Sequence, residues 1–280
     1  MGVLIIQSME IRKFLRTARP SKQHFFYYLF KDVKKIPQGS IVADIASYNG
    51  MNADIFKEHR YVAVDFDLQV LKQISKNCEG KIQANILRLP FTTDSLDAVV
   101  SSHTLSHLSF IDRLKAINEM AGVVKPSGFF IFNVPLFDDN KKRIDPDVFK
   151  KIIEKDFIIL RMVTYRGIVN RLFEATLMHW FKSKTVHGRL SARIYSFLVL
   201  LSFILEYATC GYKLFSGKVY FFLRKKGADS QSAYHDLFSM LACPEDKHPL
   251  QMVNSETLEC LNCAKNYRIA DGIIELNNVI

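Results

Sequence analysis

Apolar and polar positions between residues 38 and 135 follow two alternating patterns. Short β-branched runs alternate with segments whose apolar residues recur at helical spacing. The predicted strands lie at residues 41–46, 61–64, 81–84, 96–101 and 129–133, and the predicted helices lie at residues 51–59, 67–77 and 110–124. Strands separated by helices of this length form βαβ units, so the pattern predicts a parallel sheet that is covered on both faces.

The remainder of the chain departs from this alternation. Residues 9–36 are rich in aromatics and predict N-terminal helices, and a helix at 147–154 precedes strands at 157–163 and 218–223. Residues 168–212 predict a helical insertion between those strands, a candidate lid or acceptor pocket. Its apolar run Ile194–Leu205 is shorter than the ~20 residues of a membrane-spanning helix. The run favours a buried helix, with contact to a membrane surface as the alternative.

These patterns predict four parts of the chain: N-terminal helices at 1–37, an α/β domain at 38–225, a linker at 226–232 and a small C-terminal domain at 233–280. The linker is suggested by its Gly, Asp, Ser and Gln residues. Two domains agree with the usual domain size of ~100 to 200 residues.

Composition and charge suggest the kind of partner. The formal net charge is +10, which favours RNA, an acidic membrane face or a phosphorylated substrate, unless it is only a solvated basic surface. The five cysteines are an odd number, and no secretory signal is recognised, which together suggest reduced thiols. The expected location is the cytoplasm, with peripheral membrane contact as a further expectation.

A candidate cofactor site lies at the ends of the first two predicted strands. Asp44 lies near the end of the first strand and precedes a turn that contains Gly50, and Asp65 directly follows the second strand, 21 residues after Asp44. A nucleotide-type cofactor needs a tight strand-to-helix turn and, ~20 residues on, an acid that accepts hydrogen bonds from ribose hydroxyls. Asp65 suits that second role.

A longer stretch carries a family resemblance. Residues 84–108 and 113–134, including Leu96-Asp97-Ala98-Val99-Val100-Ser101-Ser102-His103 and Val124-Lys125-Pro126-Ser127-Gly128, resemble class I S-adenosylmethionine-dependent methyltransferases that act on small molecules, including quinones and sterols. The resemblance covers about residues 38–135. It implies an α/β fold with a Rossmann-like, seven-stranded, mostly parallel sheet, and S-adenosylmethionine as cofactor.

The resemblance also implies roles for individual residues. Asp44 would orient the loop, Gly50 would approach the methionine end, Asp65 would bind the ribose, and Asn85 and Ile86 would flank the adenine. Ser102 would lie near the sulfonium methyl. The predicted cofactor site is completed by Ala46, Ser47 and Phe66.

One departure concerns the glycine-rich loop. The family has glycines where this chain has Ala46 and Tyr48. Glycine is used there because the backbone passes close to the ligand or adopts a positive φ, and a tyrosine is unfavourable in both respects. A relative that has lost cofactor binding or catalysis therefore stays an alternative.

Candidate catalytic residues follow the fourth strand. His103 stands where the family has a glutamate and is the preferred proton acceptor, because an imidazole with a pKa of ~6.5 suits that task. His107 matches a histidine of the family, with a structural role in the following helix as the alternative. The Asp/Asn-Pro-Pro-aromatic loop of amine-directed methyltransferases is replaced by Ser101-Ser102-His103-Thr104. This argues against methylation of exocyclic amines.

The last forty residues resemble a second family. Residues 238–278, with Cys243, Cys260-Leu261-Asn262-Cys263 and the ending Tyr267-Arg268-Ile269-Ala270-Asp271-Gly272-Ile273, resemble the small zinc-ribbon protein that activates RNA and release-factor methyltransferases. A structural zinc site needs four ligands. The three cysteines would be joined by Asp246, which stands where the family's first knuckle has its second cysteine, or by His248. A metal-free ribbon held by its own core is the alternative.

Together these observations predict an S-adenosylmethionine-dependent methyltransferase that modifies oxygen or carbon of a small-molecule or lipid-linked acceptor, with zinc in the ribbon. Two alternatives remain. One is an RNA or protein methyltransferase that carries its activator domain in the same chain, and the other is a non-catalytic scaffold.

Overall fold

The structure, a computed structural model, describes residues 20–74, 78–165, 197, 201, 204, 205, 217–228 and 236–277. The helices are α1 (Pro20–Asp32), α2 (Leu68–Lys72), α3 (Phe110–Val123) and α4 (Pro146–Ile153). The strands are β1 (Ile41–Ile45), β2 (Arg60–Asp65), β3 (Gly80–Gln83), β4 (Leu96–Ser101), β5 (Val124–Pro135), β6 (Phe157–Tyr165), β7 (Lys218–Lys225), β8 (Leu250–Asn254), β9 (Thr257–Cys260), β10 (Asn266–Ala270) and β11 (Ile273–Glu275).

The described strands form one hydrogen-bonded sheet in the order β6-β7-β5-β4-β1-β2-β3-β11-β10-β9-β8. The pairs β1–β2, β1–β4, β2–β3 and β4–β5 are all parallel. The first seven strands in this order are those of the predicted α/β domain, and the last four are those of the predicted ribbon. The Rossmann-like sheet with a small C-terminal β domain is therefore confirmed.

The central strands are buried on both faces. All five residues of β1 are buried, and Leu96 and the run Ala98–Ser101 of β4 are buried as well. Continuous β-branched runs suit such positions, since neither face of a covered parallel strand meets water. The carboxyl ends of β1, β2 and β4 lie at the same edge of the sheet because these strands are parallel. The candidate cofactor residues are thereby brought to one edge.

One predicted helix is wrong. Residues 51–59 form successive turns around a short 3-10 helix, Ala53–Ile55, instead of an α-helix. Their backbone bonds span three residues, as in Phe56 N to Ala53 O and His59 N to Phe56 O. The side chain of Asn52, which precedes the 3-10 helix, is hydrogen-bonded to Asp44 and not to the backbone of the following turn.

The ribbon strands extend the parallel sheet. β8–β9, β9–β10 and β10–β11 are antiparallel, whereas β11 pairs in parallel with β3, with Ile274 opposite Ile82. Leu237 packs closely on Gly80, where an added Cβ would lie 2.2 Å from the Leu237 Cδ2 atom. The ribbon therefore covers an edge strand that would otherwise expose unpaired backbone groups.

Polar contacts fix the ribbon to the segment after β3. The Lys247 Nζ atom donates to Leu89 O at 2.8 Å and to the Glu119 carboxylate at 2.7 Å. Arg88 pairs with Glu245 at 2.9 Å. Two backbone hydrogen bonds also join the ribbon to Gln83 and Thr92: Leu276 N donates to Gln83 O, and Thr92 N donates to Met240 O.

The chain divides into two compact units. One comprises Met1–Lys35, Asn133–Pro146 and Met162–Tyr220, and the other comprises Ile36–Phe132, Asp147–Arg161 and Phe221–Ile280. In the first unit, Phe25 of α1 packs against the Tyr220 ring at 5.5 Å between centroids, and the Tyr220 hydroxyl donates to Asp32 at 3.1 Å. The second unit contains the candidate cofactor residues and the ribbon.

Four residues of the predicted insertion are described, and all four are helical and exposed. Phe197, Leu201, Ile204 and Leu205 expose 65%, 37%, 49% and 49% of their surfaces. The prediction that the Ile194–Leu205 run is buried is wrong for these residues. Within the described part of the chain, no helix is both long and apolar enough to cross a bilayer. The rest of the insertion lies outside the described residues.

Candidate functional site

The loop after β1 keeps the backbone of a glycine-rich turn although two of the three glycines are absent. Ala46, Tyr48 and Gly50 have φ angles of 59°, 52° and 74°. A left-handed conformation costs a non-glycine residue roughly 1–2 kcal/mol. Hydrogen bonds from Ser47 N to Val64 O and from Gly50 N to Ser47 O, both 3.0 Å, hold the turn. The surrounding structure therefore imposes the turn on the alanine and the tyrosine.

Asp44 is the centre of a buried hydrogen-bond cluster. Its Oδ2 atom accepts from the Tyr61 hydroxyl at 2.6 Å and from Asn52 Nδ2 at 3.0 Å. Asn52 Nδ2 also approaches Ser102 Oγ at 3.3 Å. This network connects the carboxyl ends of β1 and β4 through one amide group.

Burial sets the protonation of the cluster. Complete burial raises the pKa of Asp44 to about 7 from its ordinary 3.8, and the donors Tyr61 and Asn52 only partly oppose this rise. Burial and the adjacent Asp44 raise the pKa of Tyr61 well above its usual range. The tyrosine therefore remains a hydroxyl donor, while Asp44 changes charge near neutral pH.

Among the residues that the structure describes, several buried polar atoms at this edge have no hydrogen-bond partner. They are Asp44 Oδ1, Ser47 Oγ, Asn52 Oδ1 and Gln83 Oε1. Buried polar groups in proteins are nearly always paired, so unpaired ones call for an explanation. A polar ligand that supplies donors at the ends of β1 and β3 would provide one, and these residues therefore fit a bound cofactor.

Asp65 lies at the end of β2, next to the loop. Its Oδ2 atom accepts from Tyr48 N at 2.8 Å and its Oδ1 atom accepts from Asp67 N at 3.0 Å. Each carboxylate oxygen can accept a second hydrogen bond, so the group can still receive ribose hydroxyls. The side chains of Tyr48 and Phe66, which flank Asp65, are 59% and 65% exposed.

The ends of β3 and β4 supply the remaining predicted residues. Asn85 Oδ1 accepts from Leu87 N at 2.9 Å in a local turn, and Ile86 is half-buried. His103 is half-buried with a φ of 64°, directly before the 3-10 turn Thr104–His107, and His107 is exposed.

Arg113 holds the turn that contains His107. Its Nε atom donates to Leu105 O at 2.9 Å and to Leu108 O at 3.0 Å, and only 6% of the residue is exposed. This buried arginine fixes the backbone between β4 and α3.

A second cluster lies in the ribbon. One potential ligand atom from each of Cys243, Asp246, Cys260 and Cys263 lies within 4.8 Å of the others. The Cys243 and Cys263 sulfurs are 3.8 Å apart, and the Cys260 sulfur is 3.4 Å from Asp246 Oδ1. Two thiolates at the usual Zn–S distance of 2.3 Å in a tetrahedral site would be about 3.8 Å apart. The four side chains are therefore close enough to one another to hold a metal ion, and the Cys243–Cys263 distance is the one expected of two zinc ligands.

Asp246 lies in this cluster, whereas His248 lies beside it. The His248 Nδ1 atom is 3.6 Å from Asp246 Oδ1, and Asn262 Nδ2 donates to Asp246 Oδ2 at 3.0 Å. Hydrogen bonds from Asn262 and the His248 backbone lower the pKa of Asp246, so this side chain is a carboxylate. Of the two candidates for a fourth ligand, the geometry favours Asp246.

Three residues of the cofactor edge were not predicted from the sequence: Asn52, Tyr61 and Gln83. Tyr61 and Gln83 are strand residues that the pattern assigns to packing. Asn52 falls in the segment that was predicted as a helix. A polar residue at a buried strand position is the only sequence signal that could have identified Gln83.

Residues 43–132 match the methyltransferase domain family, and residues 235–272 match the Trm112p-like protein family. A tRNA (carboxymethyluridine(34)-5-O)-methyltransferase of Arabidopsis thaliana is 30% identical over 103 residues, 36% of this chain and 26% of the relative. The demethylmenaquinone methyltransferase of Corynebacterium urealyticum is 36% identical over 92 residues, 32% of this chain and 39% of the relative. The chain thus spans less than half of the length of these relatives.

The fold is also similar to that of the [4+2]-cyclase SpnF. The two structures have a TM-score of 0.50 and 16% sequence identity, over 74% of this chain and 84% of that one. This similarity concerns the fold alone.

Proposed function

We propose, on the premise that the chain combines a class I methyltransferase domain with a C-terminal Trm112-like domain, that it transfers a methyl group from S-adenosylmethionine to an oxygen or carbon acceptor. The cofactor supplies an activated methyl group on a positively charged sulfur. The protein positions the acceptor and excludes water. The observation that carries this proposal is the set of unpaired buried polar atoms beside Asp44, in a loop that keeps its conformation without its glycines.

Each predicted residue has a place in this proposal. Asp44, Ala46, Ser47 and Gly50 surround the methionine end, Asp65 and Phe66 hold the ribose side, and Asn85 and Ile86 flank the adenine. Ser102 lies at the methyl end. His103 accepts the proton of the acceptor, with His107 as the second candidate, because their segment follows β4.

Cofactor binding tests the proposal directly. Titration calorimetry with S-adenosylhomocysteine should show binding, and Asp65→Ala should weaken it at least tenfold, which corresponds to ~1.4 kcal/mol. Asp54→Ala is the matched control, because Asp54 is an exposed carboxylate after the same loop. No binding by the unaltered protein would favour the scaffold alternative.

For the acceptor, we propose a molecule that is partly apolar, either small or lipid-linked. The support is the exposed helical set Phe197, Leu201 and Ile204, whose spacing lies on one helical face. The sequence just before it contains Lys182, Lys184, Arg189 and Arg193, and residues 175–205 contain no acid. Apolar and cationic residues together suit the surface of an anionic membrane.

Vesicle sedimentation tests the proposed contact with an anionic membrane. Vesicles that contain phosphatidylglycerol should retain the protein at low salt, and the combined variant Arg189→Glu and Arg193→Glu should reduce retention. Neutral phosphatidylcholine vesicles are the control. Equal recovery with and without anionic lipid would contradict membrane contact.

A second candidate acceptor is RNA. It is favoured by the tRNA methyltransferase among the relatives, by the Trm112-like domain and by the net charge of +10. Salt-dependent retention of tRNA, with transfer of labelled methyl to it, would favour RNA over an apolar acceptor.

For the ribbon, we propose one zinc ion held by Cys243, Asp246, Cys260 and Cys263. The spacing of these four side chains supports this ligand set. Burial raises the pKa of the Cys260 thiol to about 11, so metal binding would have to release its proton. Metal analysis of the purified chain is the direct measurement.

A further inference from the structure

Asn52 belongs to none of the sequence motifs, yet it connects two parts of the candidate cofactor edge. Only 2% of the residue is exposed. Its Nδ2 atom donates to Asp44 Oδ2 at 3.0 Å and lies 3.3 Å from Ser102 Oγ. One amide group therefore ties the end of β1 to the end of β4. Because Asp44 Oδ2 accepts this hydrogen bond, the nitrogen of the Asn52 amide faces Asp44 and its oxygen does not.

The other end of the amide is unsatisfied. Asn52 Oδ1 is buried without a donor, and so are Asp44 Oδ1 and Ser47 Oγ. Asn52 Oδ1 can only accept, Asp44 Oδ1 can only accept when Asp44 is ionised, and the hydroxyl of Ser47 can accept as well. Asn52 and Asp44 are in direct contact, and Ser47 lies three residues after Asp44 in the same loop. When Asp44 is ionised, two oxygens on touching side chains therefore need a donor at the same time.

The chemistry of these atoms defines the missing group. It must carry more than one hydrogen-bond donor, and the ionised form of Asp44 favours a positive charge on it. A primary ammonium has three N–H donors and a positive charge. Within the proposed cofactor, the ammonium of the methionine half is the group with these properties, whereas ribose and adenine carry no positive charge.

We propose, as an extension of the proposed function, that Asn52 is a cofactor-positioning residue whose Oδ1 atom accepts a hydrogen bond from the ammonium group of the cofactor, beside Asp44. Because the same amide contacts Ser102, occupation of this subsite also fixes the end of β4. Asp65 acts on the ribose, so the two ends of the cofactor depend on separate residues.

Two ligands distinguish binding of the amino-acid end of the cofactor from binding of its adenosine end in one experiment. S-adenosylhomocysteine contains the amino-acid end, whereas 5′-methylthioadenosine keeps the adenosine and lacks that end. By calorimetry, Asn52→Ala should weaken binding of S-adenosylhomocysteine at least tenfold and change binding of 5′-methylthioadenosine less than twofold. Asp65→Ala should weaken both ligands. Asn49→Ala is the matched control, because Asn49 is an exposed amide in the same loop.

A second measurement needs no variant and so does not depend on the folding of Asn52→Ala. The unaltered protein should bind S-adenosylhomocysteine at least tenfold more tightly than the analogue that lacks only the amino group. Equal affinity for S-adenosylhomocysteine and for this analogue would overturn the role of Asn52. So would an equal loss of affinity for S-adenosylhomocysteine and 5′-methylthioadenosine in Asn52→Ala. If the unaltered protein binds neither adenosine ligand, the proposed function fails and this inference fails with it.

Discussion

Replacement of Asp44 by asparagine should change how the stability of the protein depends on pH. In the folded chain burial raises the Asp44 pKa to about 7, while the ordinary value of 3.8 applies to the unfolded chain. Between these values the folded chain holds a proton that the unfolded chain has lost. The free energy of unfolding therefore falls as pH rises through this window and levels off above pH 7.

The size of the effect follows from the shift. A shift of about three units corresponds to about 4 kcal/mol, since each unit is worth 1.36 kcal/mol. Asparagine has nearly the same shape and keeps an oxygen that can accept from Tyr61. At pH 8, Asp44→Asn should therefore be more stable than the unaltered protein by up to about 4 kcal/mol, and near pH 4 the two should be similar.

Urea denaturation between pH 4 and pH 8.5, followed by circular dichroism, measures this difference. The control is Asp54→Asn, which changes an exposed carboxylate. The difference between the unaltered protein and Asp44→Asn should grow with pH, by at most about 1.4 kcal/mol per pH unit. Other titrating groups are common to both proteins and cancel. Parallel curves across this range would refute the reasoning, because they would mean that Asp44 binds no extra proton in the folded state.

Three further predictions concern the loop and the ribbon. Tyr48→Gly should raise the free energy of unfolding by about 1 kcal/mol, and with it the urea midpoint, because the φ of 52° is unfavourable for tyrosine; a lower midpoint would contradict this. Gly80→Val should displace Leu237, which packs on Gly80, and make the ribbon more sensitive to limited proteolysis, whereas an unchanged digestion pattern would count against tight packing there. Chelator titration should remove about one zinc per chain, sooner from Asp246→Ala than from the unaltered protein and no sooner from His248→Ala; the reverse order would assign the fourth ligand to His248.

Short patterns in the sequence were sufficient for the architecture. The β-branched runs that became β1, β2 and β4 predicted covered parallel strands, because the side-chain environment of such a strand is nearly uniform along its length. The resemblance of the C-terminal residues to a zinc ribbon predicted Cys243, Cys260 and Cys263 as ligands with either Asp246 or His248, and the structure brings Asp246 close to the three cysteines. The helix predicted at residues 51–59 is replaced by turns, in which the Asn52 side chain bonds to Asp44 and not to the backbone of its own turn.

The site itself depended on contacts that no local pattern contains. Tyr61 and Asn52 converge on Asp44 from 17 and 8 residues away, and Ser102 joins from a strand 50 residues after Asn52. The left-handed backbone of Tyr48 is a similar case, since its sequence argues against the conformation that the structure imposes.

The sequence by itself determined the class of fold, the methyltransferase family that the chain resembles and the presence of a ribbon-like domain after the sheet. Only the tertiary structure decided that β11 completes the edge of β3, that Asp44 is fully buried, and which polar atoms are left without partners. The physical reason is that burial and hydrogen-bond partnership depend on strand order and on residues far apart in the chain. Periodicity and spacing report only what neighbouring residues do.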